Sequence, residues 1–102
     1  MIAISHTYGA GGYEAITVAD TAIGFTAAKL LTTTKKIARA VFCTLETAQI
    51  RFTIDGTTPT TSIGHLLEIG QTLTLENVAD LTNFRAIRTG SSSGSLRVTY
   101  RY

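Results

Sequence analysis

The chain reads as an all-β protein, an antiparallel β-sandwich of seven or eight short strands, jelly-roll-like or Ig-like in topology. Three observations predict this. Apolar and polar residues alternate with a period of two through most of residues 36–102, which puts apolar side chains on one face of each strand. Polar and glycine-containing breaks recur every eight to twelve residues or so, the rhythm of a sandwich or barrel. No stretch carries a sustained helical period; residues 21–34 alone leave helix and strand open.

Size and composition set the frame. A chain of 102 residues is the length of one domain with a single core. Residues 1–13 are expected to form an N-terminal arm or edge segment at an interface, and residues 14–102 the sandwich domain. Hydrophobic residues make up 44% and charged residues 16%, well below the roughly 25% charged of ordinary soluble domains. That deficit favours a protein whose surface is partly covered by neighbours, so a homo-oligomer is expected. The net charge of +2 supplies no long-range field for nucleic acid.

Taken in order, the first segment alternates Ile2 and Ile4 with Ala3 and Ser5, as an edge strand or an arm lying across a neighbour would. Tyr8-Gly-Ala-Gly-Gly-Tyr13 follows, and its glycines make regular structure costly in backbone entropy. The residues after it lack the Lys-Ser/Thr pair and helix of a phosphate-binding loop. Residues 14–19 form a short strand with Ile16 and Val18 on one face. Within residues 21–34, Ile23, Phe25 and Ala27 fit a strand, while Thr26-Ala-Ala-Lys-Leu-Leu31 fits one helical turn. Residues 36–45 make the longest strand, with Ile37, Val41, Cys43 and Leu45 on one face and Ala38, Ala40 and Phe42 on the other. Apolar residues on both faces mark a central strand, or one half-covered by another subunit.

Glu46-Thr-Ala48 is a short turn, so the strand at residues 50–54 is expected to pair with the preceding one as a hairpin. Asp55-Gly56 ends that strand, since glycine accepts a positive φ and aspartate bonds its own downstream backbone. Pro59 marks loop. Residues 62–67 form a further strand carrying Ile63, His65 and Leu67, and residues 72–76 another with Leu73 and Leu75 facing in. Residues 77–82 connect, with a helical turn as one reading. Residues 84–88 and 96–102 are expected to form a final hairpin about Thr89-Gly-Ser-Ser-Ser-Gly-Ser95. Phe84 would then lie opposite Tyr100 and Ala86 opposite Val98, while Arg85 and Ile87 share the outer face with Arg97, Thr99 and Arg101.

The residues exclude most chemistry. Cys43 is the one cysteine, which leaves no internal disulfide and no cysteine-rich metal site. His6 and His65 have no ligand partners at metal-binding spacings, so no metal and no cofactor are expected. No Gly-x-Ser-x-Gly occurs and the acids are scattered, so no catalytic residues are assigned and an enzyme is not expected. There is no secretory signal pattern and no apolar run long enough for a membrane helix. Four arginines crowd residues 85–101, without the aromatic interleaving of single-strand binders, so neither nucleic acid nor membrane is an expected partner. Tyr8 and Tyr13 flank the glycines. They fit a subunit interface, where tyrosine is enriched, better than a sugar site, which usually stacks a ring on an exposed aromatic such as tryptophan; the chain has none.

The segment Ile-Arg-Phe-Thr-Ile-Asp-Gly-Thr-Thr-Pro-Thr at residues 50–60 resembles one found in small structural proteins of tailed bacteriophages. In those chains it is followed by a Gly-His-Leu-Leu-like stretch, a glycine and an alternating strand, here Gly64-His-Leu-Leu67, Gly70 and Leu73-Thr-Leu-Glu76. Asn83-Phe-Arg-Ala-Ile-Arg88 and Val98-Thr-Tyr100 complete the order. The resemblance spans residues 49–102; similar hairpins also occur in Ig-like modules attached to bacterial glycosidases. It implies a virion protein made in the host cytoplasm, a capsid decoration or cement protein, commonly a trimer, contacting the major capsid protein or other virion proteins. The expected subunit or shell contacts are Ile2, Ile4, Tyr8, Tyr13, Arg97 and Arg101. Other virion positions, a head-tail connector or tail appendage, and a carbohydrate-binding module are the alternatives.

Overall fold

A computed structural model describes residues 8–102. Among these residues seven strands and two short helices follow in chain order: β1 (Ala10–Val18), α1 (Ala27–Leu30), β2 (Ala40–Glu46), β3 (Ile50–Thr53), β4 (His65–Leu67), β5 (Thr72–Leu75), α2 (Val78–Asn83), β6 (Arg85–Arg88) and β7 (Gly94–Arg101). They form two antiparallel sheets packed face to face, one of four strands in the order β1-β7-β2-β5 and one of three in the order β4-β3-β6. The fold is the all-β sandwich that the alternation predicts. Four and three is also the division of an Ig constant-type sandwich; here the last strand lies in the larger sheet, between the first and second.

The core follows from the period of two. Leu96, Val98 and Tyr100 of β7, Val41, Cys43 and Leu45 of β2, and Ile16 and Val18 of β1 point inward and are buried. Ile50, Phe52, Leu67 and Ala86 meet them from the smaller sheet, with Phe25, Leu81 and Phe84 closing one end. Phe84 stacks on Phe25 with centroids 4.2 Å apart and planes 11° from parallel, and Phe25 meets the Tyr100 ring edge-on at 5.9 Å. This cluster holds the segment between β1 and β2 against the sheets. Along it Ile23 exchanges two backbone hydrogen bonds with Ala86, extending the smaller sheet by one bridge. The open question at residues 21–34 resolves into both readings: a bridge at Ile23, then one helical turn. Asn77 caps α2, its side-chain oxygen accepting from the Ala79 amide at 2.8 Å.

Both expected hairpins are absent. β2 and β3 lie in different sheets, as do β6 and β7. β3 pairs with β4 and β6, while β7 pairs with β1 and β2. The chain leaves β2 through Thr47, held at φ 80°, and crosses the core instead of folding back in plane. Phe84, Ala86, Val98 and Tyr100 do share the interior, but across the sandwich and not side by side. Arg85 and Ile87 therefore lie on the opposite layer from Arg97, Thr99 and Arg101. Gly94 marks the crossing: an added Cβ would lie 2.8 Å from the Ile50 side chain and 2.9 Å from the Ala48 carbonyl.

Two further expectations change. β1 begins at Ala10, inside the glycine-rich segment, with a bulge between Ala10 and Gly12, and the Tyr102 ring lies against Gly11. A Cβ on Gly11 would meet that ring at 3.0 Å. Ile37 does not join Val41, Cys43 and Leu45; it bridges to Leu31 outside β2 and is 44% exposed. Asp55-Gly56 turns the chain as expected, with Gly56 at φ 90° and the Asp55 carboxylate accepting from the Thr57 amide at 3.0 Å. Those Thr57 hydrogen bonds hold the Asp55 carboxyl below its usual range.

Two buried acids set the alkaline behaviour. Burial pushes the Cys43 thiol from 9.0 up to about 12. Burial, and then the adjacent Glu14 carboxylate to which it donates, raises the Tyr100 phenol. Both groups keep their protons in the folded protein at pH values where the unfolded chain loses them, so their contribution is present below the unfolded values and lost as pH rises. The unfolding midpoint in urea is predicted to fall steadily from pH 9.0 towards 12, with Tyr100→Phe flattening that slope; an unchanged slope in the variant contradicts the assignment. Phe84→Ala removes the centre of the aromatic stack and is predicted to cost about 3–5 kcal/mol in the same measurement.

Candidate interaction surface

The outward face of the four-stranded sheet is built by the same alternation that fills the core. Because Val41, Cys43 and Leu45 point in, Phe42 and Thr44 point out, and the registers line up their neighbours. One row runs Thr74, Phe42, Thr99, Tyr13 across β5, β2, β7 and β1; the next runs Thr72, Thr44, Arg97, Ala15. Directly opposed residues on one face lie about 4.5–5.5 Å apart, so the surface is a continuous patch of threonine methyls and hydroxyls with two aromatic rings. Tyr13 is 55% exposed.

Its few charges are tied down. The Arg97 guanidinium donates to the Tyr13 hydroxyl at 3.0 Å and to Ser95 Oγ at 3.2 Å, and pairs with Glu46 at 3.4 Å. The Tyr13 hydrogen bond, then the Glu46 charge, raises its pKa. Arg101 donates to the Tyr8 carbonyl at 3.1 Å, and Arg39 sits 5.7 Å above the Tyr8 ring.

Of the six residues expected at an interface, Tyr8, Tyr13, Arg97 and Arg101 are thus gathered at the β1 and β7 side of one sheet. Ile2 and Ile4 lie outside the described residues. Sequence reasoning placed Thr99 on an outer face but did not count it, Phe42, Thr44, Thr72 or Thr74 among the interface residues. The threonines carried a signal, since threonine recurs at the outward positions of β2, β5 and β7.

The outer face of the smaller sheet is different. Arg51 lies between Leu66 and Ile87 in the register and donates to the carbonyls of Thr61 at 3.0 Å and Gly64 at 2.8 Å, so it fastens the loop after β3. A third region, between the Leu31–Ile37 bridge and α2, is a shallow apolar groove beside Lys35 and Lys36.

Among the described residues no three His, Cys, Asp or Glu side chains stand close enough to hold a metal ion. His65 packs against Phe52 at 5.5 Å. No helix among them is long and apolar enough to cross a membrane. Compared with protein-family models, curated proteins and solved structures, the chain matches none.

Tyr13→Ala and Arg97→Ala remove exposed side chains from a face that carries no core contact. Each is predicted to leave the thermal unfolding midpoint within about two degrees of the parent, while any association made through this face weakens. A drop of ten degrees in either would assign these residues to folding instead.

Proposed function

We propose that the chain is a non-enzymatic virion structural protein, a capsid decoration or cement protein that stabilises a tailed-phage shell through oligomeric contacts. The observation that carries the reading is the outer face of β1-β7-β2-β5, where seven uncharged or hydrogen-bonded side chains, Tyr13, Phe42, Thr44, Thr72, Thr74, Arg97 and Thr99, form one surface. Interface cores are depleted in free charge and enriched in Tyr and Arg, and this face has that character. The resemblance over residues 49–102 supports the same reading, and so does the low charge content of the whole chain.

The mechanism is burial repeated over a lattice. A single face of this size gives modest affinity, but many copies fixed on one shell act together, and each contact that forms raises the effective concentration of the next. Tyr13 and Phe42 supply the apolar area. Arg97, pre-positioned by Tyr13, Ser95 and Glu46, loses little rotamer freedom on docking. The partners are the major capsid protein or another virion protein, and a second copy of the chain.

The test is to purify particles of the virus that encodes the chain, with the gene intact and deleted. The expected result is a fixed symmetric copy number of the chain on the shell, and deleted particles that rupture at lower temperature or milder osmotic shock. Absence of the chain from purified particles overturns the proposal. So does binding of the isolated chain to a glycan array that is lost in Tyr13→Ala, which would make it a carbohydrate-binding module.

A further inference from the structure

The four sheet edges are not alike. β4 is three residues long and β5 four; edges that short offer little to pair with. The free side of β6 is occupied by Ile23, through two backbone hydrogen bonds with Ala86, and by Ala19, which accepts from the Arg88 amide at 2.9 Å. β1 is nine residues long and has no such protection among the described residues. Its single charged residue, Glu14, is turned away to accept hydrogen bonds from Thr26 Oγ1 at 2.6 Å and from the Tyr100 hydroxyl. The strand holds no lysine, arginine or proline, and its one bulge lies at the Ala10 end.

Which backbone groups are free follows from alternation. The Arg101 carbonyl accepts from the Arg39 amide, so the backbones of Arg101, Thr99, Arg97 and Ser95 face β2, and those of Tyr100, Val98, Leu96 and Gly94 face β1. Their register partners Gly12, Glu14, Ile16 and Val18 therefore bond β7, leaving the amides and carbonyls of Tyr13, Ala15 and Thr17 directed outward. Among the described residues no backbone group bonds these three from the open side. The side chains of all three are exposed.

We propose that β1 of one molecule pairs antiparallel with β1 of a second copy about a two-fold axis at Ala15, joining two four-stranded sheets into one. In that register Ala15 faces its own counterpart and Tyr13 faces Thr17. The three outward residues of each copy then exchange six backbone hydrogen bonds. A two-fold axis matches two nine-residue edges to each other, whereas head-to-tail pairing would set β1 against the four-residue β5. Tyr13 opposite Thr17 is an aromatic and β-branched pair, a favourable cross-strand combination. No like charges meet on the outward face. The inference goes beyond the virion reading and does not depend on it: the backbone edge of β1 makes the pairing, and Tyr13, which also lies on the outer face assigned to the shell, adds only a side-chain contact.

Ala15→Pro tests it, because proline at an outward-facing position removes a donor that only the second copy uses and leaves the bonds to β7 in place. By sedimentation at about 100 µM protein, the parent chain is expected as a dimer. The variant, folded by circular dichroism, is expected to dissociate with a constant raised about thirtyfold or more, for two lost hydrogen bonds per dimer. Ala15→Cys is the second arm: two such residues facing across the axis lie within disulfide reach, and the variant is expected to form a covalent dimer on mild oxidation while the buried Cys43 stays unreacted. A monomeric parent, an Ala15→Pro protein that associates like the parent, or an Ala15→Cys protein that does not cross-link each overturns the proposal. If Ala15→Pro fails to fold, the cross-linking result decides alone. A parent chain that is monomeric yet binds particles counts against this dimer and not against the virion role.

Discussion

The fold depends on β7 being paired on both sides while one of its faces is buried. Leu96, Val98 and Tyr100 have no exposed surface, and each such side chain moved from water into the interior contributes roughly 1.5–3 kcal/mol. A slip of one residue against β1 or β2 would exchange all three for Arg97, Thr99 and Arg101, placing two guanidinium groups in the core. The register is therefore fixed twice, once by each neighbour, and β7 transmits it to both. The positions of Tyr13 against Thr99 and of Phe42 against Thr99 are consequences of that single alignment.

Polar groups inside the sandwich are placed to agree with it. The Tyr100 hydroxyl reaches the interior with a partner waiting, the Glu14 carboxylate, which Thr26 also bonds. Tyr102, one step further on the same face, lays its ring over the glycines of β1 and donates to the Lys29 carbonyl at 2.6 Å. The end of the chain thus fastens the start of β1 and the end of α1 together. Glycine at residue 11 is what admits the ring, so the Tyr8 to Tyr13 segment has a structural reason for its composition. Gly11 and Gly12 serve a close approach within the fold.

Alternation was legible in the sequence and partner choice was not. An inward face at Ile50, Phe52 and Ala86 follows from the alternation alone, as do the inward faces of β5 and β7. Yet a strand that turns back in plane and one that crosses to the facing sheet have the same alternation, and short polar turns such as residues 46–48 serve either. The distinguishing physical features are local: a positive φ at Thr47, and the lack of a side chain at Gly94, where Ile50 and the Ala48 carbonyl press on the backbone. Neither can be weighed without the facing sheet. The candidate surface was legible in part for the same reason. Tyr13 and Arg97 are 84 residues apart in sequence and hydrogen-bonded in the fold, a pairing set by the β1-β7 register. The place of Phe42 stayed open between core and a face covered by another subunit, because the sequence shows that β2 is apolar on both faces but not that one face is left uncovered within the subunit.

Amide hydrogen exchange resolved by residue tests the central claim that a doubly paired β7 sets the register of the larger sheet. Amides from residue 95 to 101 are predicted to be the slowest in the protein, exchanging together with those of Phe42 and Thr44, which bond β7, and only through global unfolding. Exchange along β7 as fast as at the exposed turn of residues 89–93, with protection concentrated in another strand, would contradict it.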